Sequence, residues 1–435
     1  MAAPLVAPPL LAGAAVSFFF FLLSSLLAAV APAAALRGAA GGNDTAPPPL
    51  LADDVAAQLD LSARYAAATY CLPGRVKRWK CGRRCPGKLD VRRYLDTRGT
   101  TGVVGYVGLD AELNRIVVAF RGSLDYRNWV WDLQFAKIDY HYPPDEMDGP
   151  SAEAPGRRRR AERDAPDGPM IHSGFWISYR AVRAATNKAV EGLLREMYCS
   201  PPASRRPRPP SILVTGHSLG AALATFAALD FKAYQTPGWT GGVRCGGGGR
   251  AGTRRAAQRA FAAARPPHAR LEPPAITLHQ FGGPRVGNRA FAELVRRALV
   301  AAGARGRESR RRRRPDRAVR VVNRNDWVPH LPPAELAFAH HPHEVWIGYN
   351  DTPAPPPTPT PPPAAAAAGP GPRGLLPPVI LPPGTRVPHP AYNCTGDLSP
   401  PDFPEDPRCS AKVPWWDWSL AAHGVVWGHG ITVFC

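Results

Sequence analysis

The sequence is short of acidic side chains: 34 Asp and Glu stand against 54 Lys and Arg among 435 residues, giving a formal net charge of +20. Four arginines at 157–160 and five at 310–314 supply nine of these surplus charges, and both runs lie among Pro, Gly and Ala. Neither run carries the interleaved aromatic side chains expected of a nucleic-acid-binding surface. We therefore interpret both runs as solvated inserts and predict no nucleic-acid partner.

Residues 5–36 lack any charged side chain, and their centre, residues 16–23, is as apolar as a secretory h-region. Small residues at 32–35 predict cleavage after Ala35, which makes 1–35 a signal peptide. The n-region lacks Lys and Arg, however, and about 20 apolar residues would also span a bilayer, so an uncleaved anchor is the alternative. Either way we expect a secreted or extracellular chain, in which disulfides are the default for its eight cysteines. Three N-glycosylation sequons are compatible with that compartment, at Asn43, Asn350 and Asn393.

Internal repeats are also absent, and four segments lack enough apolar residues to offset the entropy of ordering them. We predict a linker at 36–52 and one domain from 53 to 435, interrupted by loop inserts near 144–169, 237–274, 301–316 and 352–390.

What remains alternates between β-rich runs and helical periods. Helices are predicted from Asp53 to just before Cys71, from about Ser178 to Met197, from the end of the strand at 211–215 to about Lys232, and at 289–300. The other strands are predicted at 102–108 and 115–120, joined as a hairpin, and at 275–281, 318–323 and 344–349. This alternation predicts an α/β fold, with a largely parallel central sheet and helices on both faces.

The most informative motif is Gly216-His217-Ser218-Leu219-Gly220, which lies between a predicted strand and a predicted helix. Glycines at both ends let a strand and a helix approach closely around a strained turn that exposes the serine hydroxyl. The helix N-terminus favours the negative charge that develops during acyl transfer. The motif predicts Ser218 to be a nucleophile.

A nucleophilic serine in such a sheet needs an acid and then a base, in that chain order. Asp326 lies just beyond a predicted strand, whereas its competitors Asp316 and Asp351 lie in low-complexity flanks. The residues alone leave the base open among seven histidines: His330, His340, His341, His343, His389, His423 and His429.

Several motifs together resemble the class 3, or fungal-type, lipases, which are secreted α/β-hydrolases acting on acylglycerols. They are the oxyanion-strand motif at 118–123, the nucleophile elbow at 216–224, Phe281-Gly282-Gly283-Pro284-Arg285-Val286-Gly287-Asn288, the acid segment at 325–332 and the base segment at 420–427. The resemblance runs from about Ala57 to Cys435, outside the inserts. Ala221 and Ser419 depart from the family pattern, where many members have Gly and Asp.

This resemblance implies an α/β-hydrolase fold, with Ser218 as nucleophile, Asp326 as the orienting acid and His423 as general base. Ser123 would give its backbone N–H and hydroxyl to the oxyanion, and Leu219 its backbone N–H. We expect His217 to be structural, because its side chain points away from that of the nucleophile. His340, His341 and His343 are interpreted as packing residues without a metal, since no fourth ligand motif lies nearby. No cofactor is expected, and we expect a monomer.

Residues 124–135 follow the oxyanion motif and carry an apolar stripe at i, i+3, i+4 and i+7, formed by Tyr126, Trp129, Val130 and Leu133. Such a stripe is typical of a core-facing helix. At the position where the family carries its lid, the same stripe would cover the serine in water and turn onto lipid at an interface.

For the disulfides, Cys81 and Cys85 are close enough in sequence to close a small loop. The resemblance pairs Cys71 with Cys435. The pairs that then remain are Cys394 with Cys409 and Cys199 with Cys245, although Cys245 lies in a predicted insert.

The sequence thus predicts a secreted serine hydrolase that cleaves carboxylic esters of acylglycerols at a lipid or lipid–water interface. An esterase for soluble or wall-bound esters, such as feruloyl esters, is the rival with the same chemistry. A catalytically silent lipid-binding protein of the same fold is the rival from a different class.

Overall fold

The computed structural model describes residues 48–123, 136–142, 168–199, 210–233, 273–299, 317–348, 391–394, 405–406 and 408–430. These residues belong to one compact unit that runs from Pro48 to Cys435. None of the helices within these ranges is long and apolar enough to cross a membrane. The predicted signal peptide, the four predicted lid residues, Cys245 and Cys435 lie outside the described residues.

The largest sheet of the described residues has eight strands in the order β1-β2-β3-β6-β7-β8-β9-β10. Their bounds are β1 Asp90–Asp96, β2 Val104–Asp110, β3 Arg115–Phe120, β6 Ser211–His217, β7 Ala275–Phe281, β8 Arg317–Asn323, β9 Glu344–Ile347 and β10 Ala391–Cys394. Strands β3, β6, β7, β8 and β9 pair in parallel, and the pairs at both edges are antiparallel. The predicted hairpin and the mostly parallel sheet are confirmed. Two small antiparallel pairs join β4 Lys137–Asp139 to β5 Met170–His172 and β11 Val425–Val426 to β12 His429–Gly430.

The α-helices of the described residues are α1 Asp53–Ala68, α2 Pro73–Lys77, α3 Ser173–Cys199, α4 Leu219–Ala233, α5 Arg289–Leu299 and α6 Leu420–His423. Four of them lie where the sequence predicts helices. Helix α3 begins five residues before the predicted Ser178, because Phe175 and Trp176 are buried in the same core as Tyr179. These two aromatic residues lie one turn before Tyr179 and extend its apolar face.

Alternate residues of β3 pack on opposite faces of the sheet, as the two-residue period of a strand requires. Ile116, Val118 and Phe120 lie in the core cluster formed with α3, α4 and α5. Val117 and Ala119 lie in the cluster that contains Tyr65 and Ala68 of α1. Helices therefore cover both faces of the sheet, and the predicted α/β class of the fold is confirmed.

The sequence does not predict the edge strand β1, where Leu95 is the one fully buried residue and charged residues dominate. It also misses β10, which has four residues and lies after the last insert. Residues assigned to the 36–52 linker pair with β10, because Leu51 donates to the Ala391 carbonyl and Asn393 donates to the Pro49 carbonyl. The last part of that segment therefore belongs to the fold.

Two disulfides are confirmed, Cys81–Cys85 and Cys394–Cys409. Cys71 and Cys199 are also disulfide-bonded. Their predicted partners, Cys435 and Cys245, lie outside the described residues, so those two pairings stay predictions.

The carboxyl ends of β3, β6, β7 and β8 meet at one edge of the sheet, because these strands are parallel. The residues that follow them are Arg121, Ser218, Gly282 and Arg324. In open α/β sheets this edge is where ligands bind.

Candidate active site

Ser218 occupies the single-residue turn between β6 and α4, with a left-handed φ of 57°. Its N–H donates to the Phe281 carbonyl at 3.0 Å, which fixes the turn against β7. A Cβ on Gly216 would collide with the Gly220 carbonyl, and one on Gly220 would collide with the Phe120 carbonyl. Both glycines of the motif are therefore needed for the close approach that the sequence predicts.

The departure at Ala221 is accommodated by a neighbouring glycine. Ala221 is fully buried, and a Cβ built on Gly283 would lie 2.8 Å from the Ala221 methyl. Gly283 thus leaves the room that the extra methyl group occupies.

Asp326 and His423 are hydrogen-bonded although they lie 97 residues apart. His423 Nδ1 is 2.9 Å and 3.0 Å from the two Asp326 carboxylate oxygens. Oδ1 also accepts the Val328 N–H at 3.0 Å, and both side chains are almost fully buried. This geometry fixes Nδ1 as the protonated nitrogen and leaves Nε2 as the free base.

Hydrogen bonds to main-chain carbonyls hold the segment that carries Asp326 beside the segment that carries His423. The Asn325 amide donates to the Asp417 carbonyl, Ser419 N–H to the Asn325 carbonyl at 2.8 Å, and the Asn323 amide to the Ala422 carbonyl at 2.7 Å. Ser419 also caps α6, with its hydroxyl accepting the N–H groups of two residues that follow. Serine and aspartate are both good N-caps, so the departure at Ser419 keeps the helix that carries His423.

Two polar atoms at this site are buried without a hydrogen-bond partner among the described residues: Ser218 Oγ and His423 Nε2. The expectation that the turn exposes the serine hydroxyl is therefore wrong for these residues, since Ser218 is buried. Two glycines pack tightly against these residues, as the distances from a Cβ atom built on each glycine show. A Cβ on Gly122 would lie 2.7 Å from Ser218 Cβ, and one on Gly282 would lie 2.6 Å from Asp326 Oδ2 and 3.1 Å from His423 Nδ1. Other buried polar atoms of the described residues also lack a partner, but a hydroxyl and an imidazole nitrogen are the two groups that exchange a proton in nucleophilic catalysis.

The predicted oxyanion donors lie at the same edge. Ser123 is the last described residue before 136 and follows Gly122, which packs on Ser218. Leu219 is the first residue of α4, so its N–H has no acceptor within the helix. The structure thus brings together Ser218, Asp326, His423, Leu219 and the segment that carries Ser123.

The competing histidines make other contacts. His429 Nε2 bonds Asp60 of α1 at 2.8 Å, and His330 stacks on Trp418 with ring centroids 4.5 Å apart. His340 Nε2 bonds the Pro329 carbonyl, and His341 bonds Gln280 Oε1. Among the described residues, neither these nor His343 belongs to a group of three metal-type ligands. His389, Asp316 and Asp351 lie outside the described residues.

Sequence reasoning missed two buried residues at this edge. Tyr70 follows α1 and its hydroxyl contacts both His217 and Gly122; no local pattern signals it, because these partners are distant in sequence. Arg285 extends into the loop after Asp326, where it bonds the His330 and Pro332 carbonyls and pairs with Glu405. An arginine between apolar residues of the Phe281–Asn288 motif was the available signal, since a buried arginine needs a partner.

The model of the family described as "Lipase (class 3)" matches residues 117–336, half of the chain, which include Ser218 and Asp326. The protein belongs to the class 3 lipase family. This lipase-family chain is 28% identical over 247 residues to secreted mono- and diacylglycerol lipase A of Penicillium cyclopium, covering 57% of this chain and 52% of that protein. It is 30% identical over 235 residues to a lipase of Rhizomucor miehei, covering 54% and 42%. The chain thus spans about half the length of these relatives.

Solved structures of fungal lipases share the fold of this member of the class 3 lipase family, which confirms the predicted α/β-hydrolase fold. The Rhizomucor miehei lipase propeptide complex aligns with a TM-score of 0.53 at 23% identity, over 89% of this chain and 86% of that one. Lipase II from Rhizopus niveus aligns with a TM-score of 0.52 at 19% identity, over 88% and 97%.

Proposed function

We propose that the protein is a serine hydrolase that cleaves the carboxylic esters of acylglycerols through an acyl-enzyme. One observation carries this proposal: Ser218 Oγ and His423 Nε2 are both buried and unpaired at one edge of the sheet, with His423 Nδ1 held by Asp326. Family membership and the relatives named mono- and diacylglycerol lipase and lipase support the substrate class.

In the proposed reaction, Ser218 Oγ attacks the ester carbonyl carbon while His423 Nε2 takes its proton. Asp326 stabilises the imidazolium that forms, without becoming protonated itself. The carbonyl oxygen becomes an oxyanion, which the Leu219 N–H and the N–H and hydroxyl of Ser123 bind. Its collapse expels the alcohol, which takes the proton from His423, and a water molecule then releases the acid by the same steps.

Turnover of a soluble short-chain ester tests the triad. Ser218→Ala and His423→Ala are each expected to lose nearly all kcat, by similar factors, because members of a triad act as a unit. His429→Ala and His341→Ala serve as controls, since those side chains contact Asp60 and Gln280 instead. Wild-type rates in His423→Ala together with loss of activity in either control would refute the base assignment. Failure of the wild-type protein to react with a serine-directed phosphonate would favour the silent lipid-binding rival.

We also propose that the substrate is met at a lipid–water interface outside the cell. Trp415 and Trp416 are 71% and 69% exposed, and their rings meet edge to face at 5.7 Å. The turn that carries them accepts a hydrogen bond from Asn325, the neighbour of Asp326. Tryptophan is favoured where an apolar ring meets water at a membrane surface. The relative from Penicillium cyclopium is named as secreted, which supports an extracellular location.

Sedimentation with phospholipid vesicles tests the interface. The double variant Trp415→Ala with Trp416→Ala should bind vesicles several-fold more weakly, because each exposed indole offers apolar area to the lipid. It should keep wild-type kcat on a soluble ester. Ile177→Ala removes a similarly exposed apolar side chain from α3 and is the matched control. Equal vesicle binding by wild type and double variant would contradict the proposal.

The lid proposal separates the lipase from the esterase. Residues 124–135 lie outside the described residues, so the argument rests on their apolar stripe and their position after Ser123. A cap that buries Trp129 in water and opens onto oil predicts an abrupt rise in triacylglycerol hydrolysis at the solubility limit. Trp129→Ser should flatten this rise more than it lowers hydrolysis of a soluble ester. Smooth curves through the solubility limit in both proteins would favour the esterase for soluble or wall-bound esters.

A further inference from the structure

We propose that Tyr70 and His217 are positioning residues that hold the oxyanion segment and the general base in place on either side of the nucleophile. This inference rests on the proposed function, because it assigns their effect to ester hydrolysis at Ser218. Neither residue touches the reacting atoms in the proposed mechanism.

Three hydrogen bonds form a continuous chain across the site. Gly122 N–H donates to the Tyr70 hydroxyl at 3.0 Å, and this hydroxyl lies 2.7 Å from His217 Nδ1. On the other side of the ring, His217 Nε2 lies 3.0 Å from the main-chain carbonyl oxygen of His423. The chain thus begins one residue before Ser123 and ends on the residue proposed as the base.

The direction of every bond follows from the terminal groups. A carbonyl oxygen only accepts, so His217 Nε2 carries a proton and donates it to His423. In the neutral ring Nδ1 is then an acceptor, so the Tyr70 hydroxyl donates to it. The lone pair of the same hydroxyl accepts the Gly122 N–H. All four groups are satisfied when His217 is neutral.

The surroundings of His217 favour the neutral ring. Complete burial, together with the neighbouring His423, lowers the pKa of His217 well below its usual value. The rings of His217 and His423 lie 4.4 Å apart between centroids, so a second positive charge there would oppose formation of the His423 imidazolium. His217 therefore supports the base through its main chain while remaining uncharged.

Each residue of this hydrogen-bonded chain is held in place by its surroundings. Tyr70 is buried and precedes the disulfide-bonded Cys71. His217 is the last residue of β6, next to Ser218, so its bond to His423 sets the position of the base relative to the nucleophile. Gly122 packs against Ser218 and would place a Cβ 2.5 Å from the Tyr70 hydroxyl. Displacements of about 1 Å at such a site cost about 10²-fold in rate.

Steady-state hydrolysis of a soluble short-chain ester by Tyr70→Phe is the first test. The variant leaves Gly122 N–H and His217 Nδ1 without their partner, and we expect kcat to fall about 10- to 100-fold with KM unchanged. Tyr65→Phe is the matched control, because it also removes a buried hydroxyl, which bonds Asp110 at 2.7 Å. Asp110 lies opposite Arg115 in the register of β2 and β3, at the end of β3 that is far from the site. Tyr65→Phe should lose stability but keep kcat.

Two replacements of His217 separate its bond to Tyr70, the Tyr70 arm, from its bond to the His423 carbonyl. Glutamine reaches the position of Nε2 and can still donate to the His423 carbonyl, whereas the shorter asparagine reaches only the position of Nδ1 and keeps the Tyr70 arm. We expect His217→Gln to retain at least several-fold more kcat than His217→Asn. The glutamine variant keeps both the Gly122–Tyr70 bond and the bond to the His423 carbonyl, whereas the asparagine variant releases the main chain of the base. Thermal unfolding is measured for both variants. This comparison also stands if Tyr70→Phe fails to fold.

The proposal is overturned if Tyr70→Phe keeps wild-type kcat, if Tyr65→Phe loses kcat as strongly, or if His217→Asn is as active as His217→Gln. Each of these results requires a wild-type protein that hydrolyses the ester. A wild-type protein that neither turns over the ester nor reacts with a serine-directed phosphonate would instead refute the proposed function, and this inference with it.

Discussion

The ion pair of Arg285 and Glu405 should make the free energy of unfolding depend on pH, and substitution of Glu405 should remove that dependence. Arg285 Nε and Nη2 lie 2.7 Å and 2.8 Å from the two Glu405 carboxylate oxygens, a bidentate arrangement. Burial would raise the pKa of Glu405, but the charge and hydrogen bonds of Arg285, together with the charges of His340 and Arg320, outweigh it and lower the pKa from 4.5 to about 2.

The magnitude follows from this shift. A pKa lowered by about 2.5 units corresponds to about 3.4 kcal/mol of folding free energy, at about 1.36 kcal/mol per unit. The Glu405 side chain is 17% exposed, so solvent screening reduces this to about 2 to 3 kcal/mol. Because the folded pKa lies below the unfolded one, this stability is fully present above pH 4.5 and is lost as the pH falls towards 2.

Urea unfolding of wild type and Glu405→Gln between pH 7 and pH 2 measures the effect. The variant should be less stable by about 2 to 3 kcal/mol at pH 7, and the two curves should converge as the pH approaches 2. Glu293→Gln is the control. Its pKa is lowered by a hydrogen bond to Arg296, three residues further along α5, in a half-buried pair of the i, i+3 kind that contributes about 0.2 to 0.5 kcal/mol. A constant gap between wild type and Glu405→Gln at every pH would refute the reasoning.

Two further predictions concern the site and its border. Gly282 has φ 54° and approaches Asp326 too closely for a methyl group, so Gly282→Ala should lower kcat by about 10²-fold through displacement of the carboxylate; unchanged ester hydrolysis would contradict this. The Cys394–Cys409 disulfide closes a loop of 15 residues, and replacing both cysteines with serine should cost about 3 kcal/mol in urea unfolding; an unchanged midpoint would show that the loop is constrained by other contacts.

The sequence predicted the parts of the fold whose periodicity is strong. Strands β6 and β7 have apolar centres and are buried on both faces, and α5 carries its apolar residues on one face. Edge strands gave no such signal, because β1 buries little and its alternation is hidden by charged residues. Strand β10 has four residues, too few to display a period.

Some residues of the candidate site could likewise be predicted from the sequence, and others could not. Ser218 could be found because its turn imposes glycines at fixed offsets, and Asp326 because it follows a strand. The choice of His423 among seven histidines depended on the family resemblance, since the residues alone left it open. Tyr70 could not be found from the sequence, because its partners lie 52 and 147 residues away and only the folded sheet brings them together.

The pairing of β9 with β10 has a consequence for the insert between them. Ile347 lies opposite Ala391 in the antiparallel register, so the chain leaves the sheet and re-enters it at neighbouring points. The entropy of closing a flexible loop grows only with the logarithm of its length. Segment 352–390 can therefore lengthen or shorten over generations at little cost to folding, while the Asn325 and Asn323 contacts keep the base beside the acid. The edge formed by β9 and β10 is thus one place where the length of the sequence can change while the paired strands keep their register.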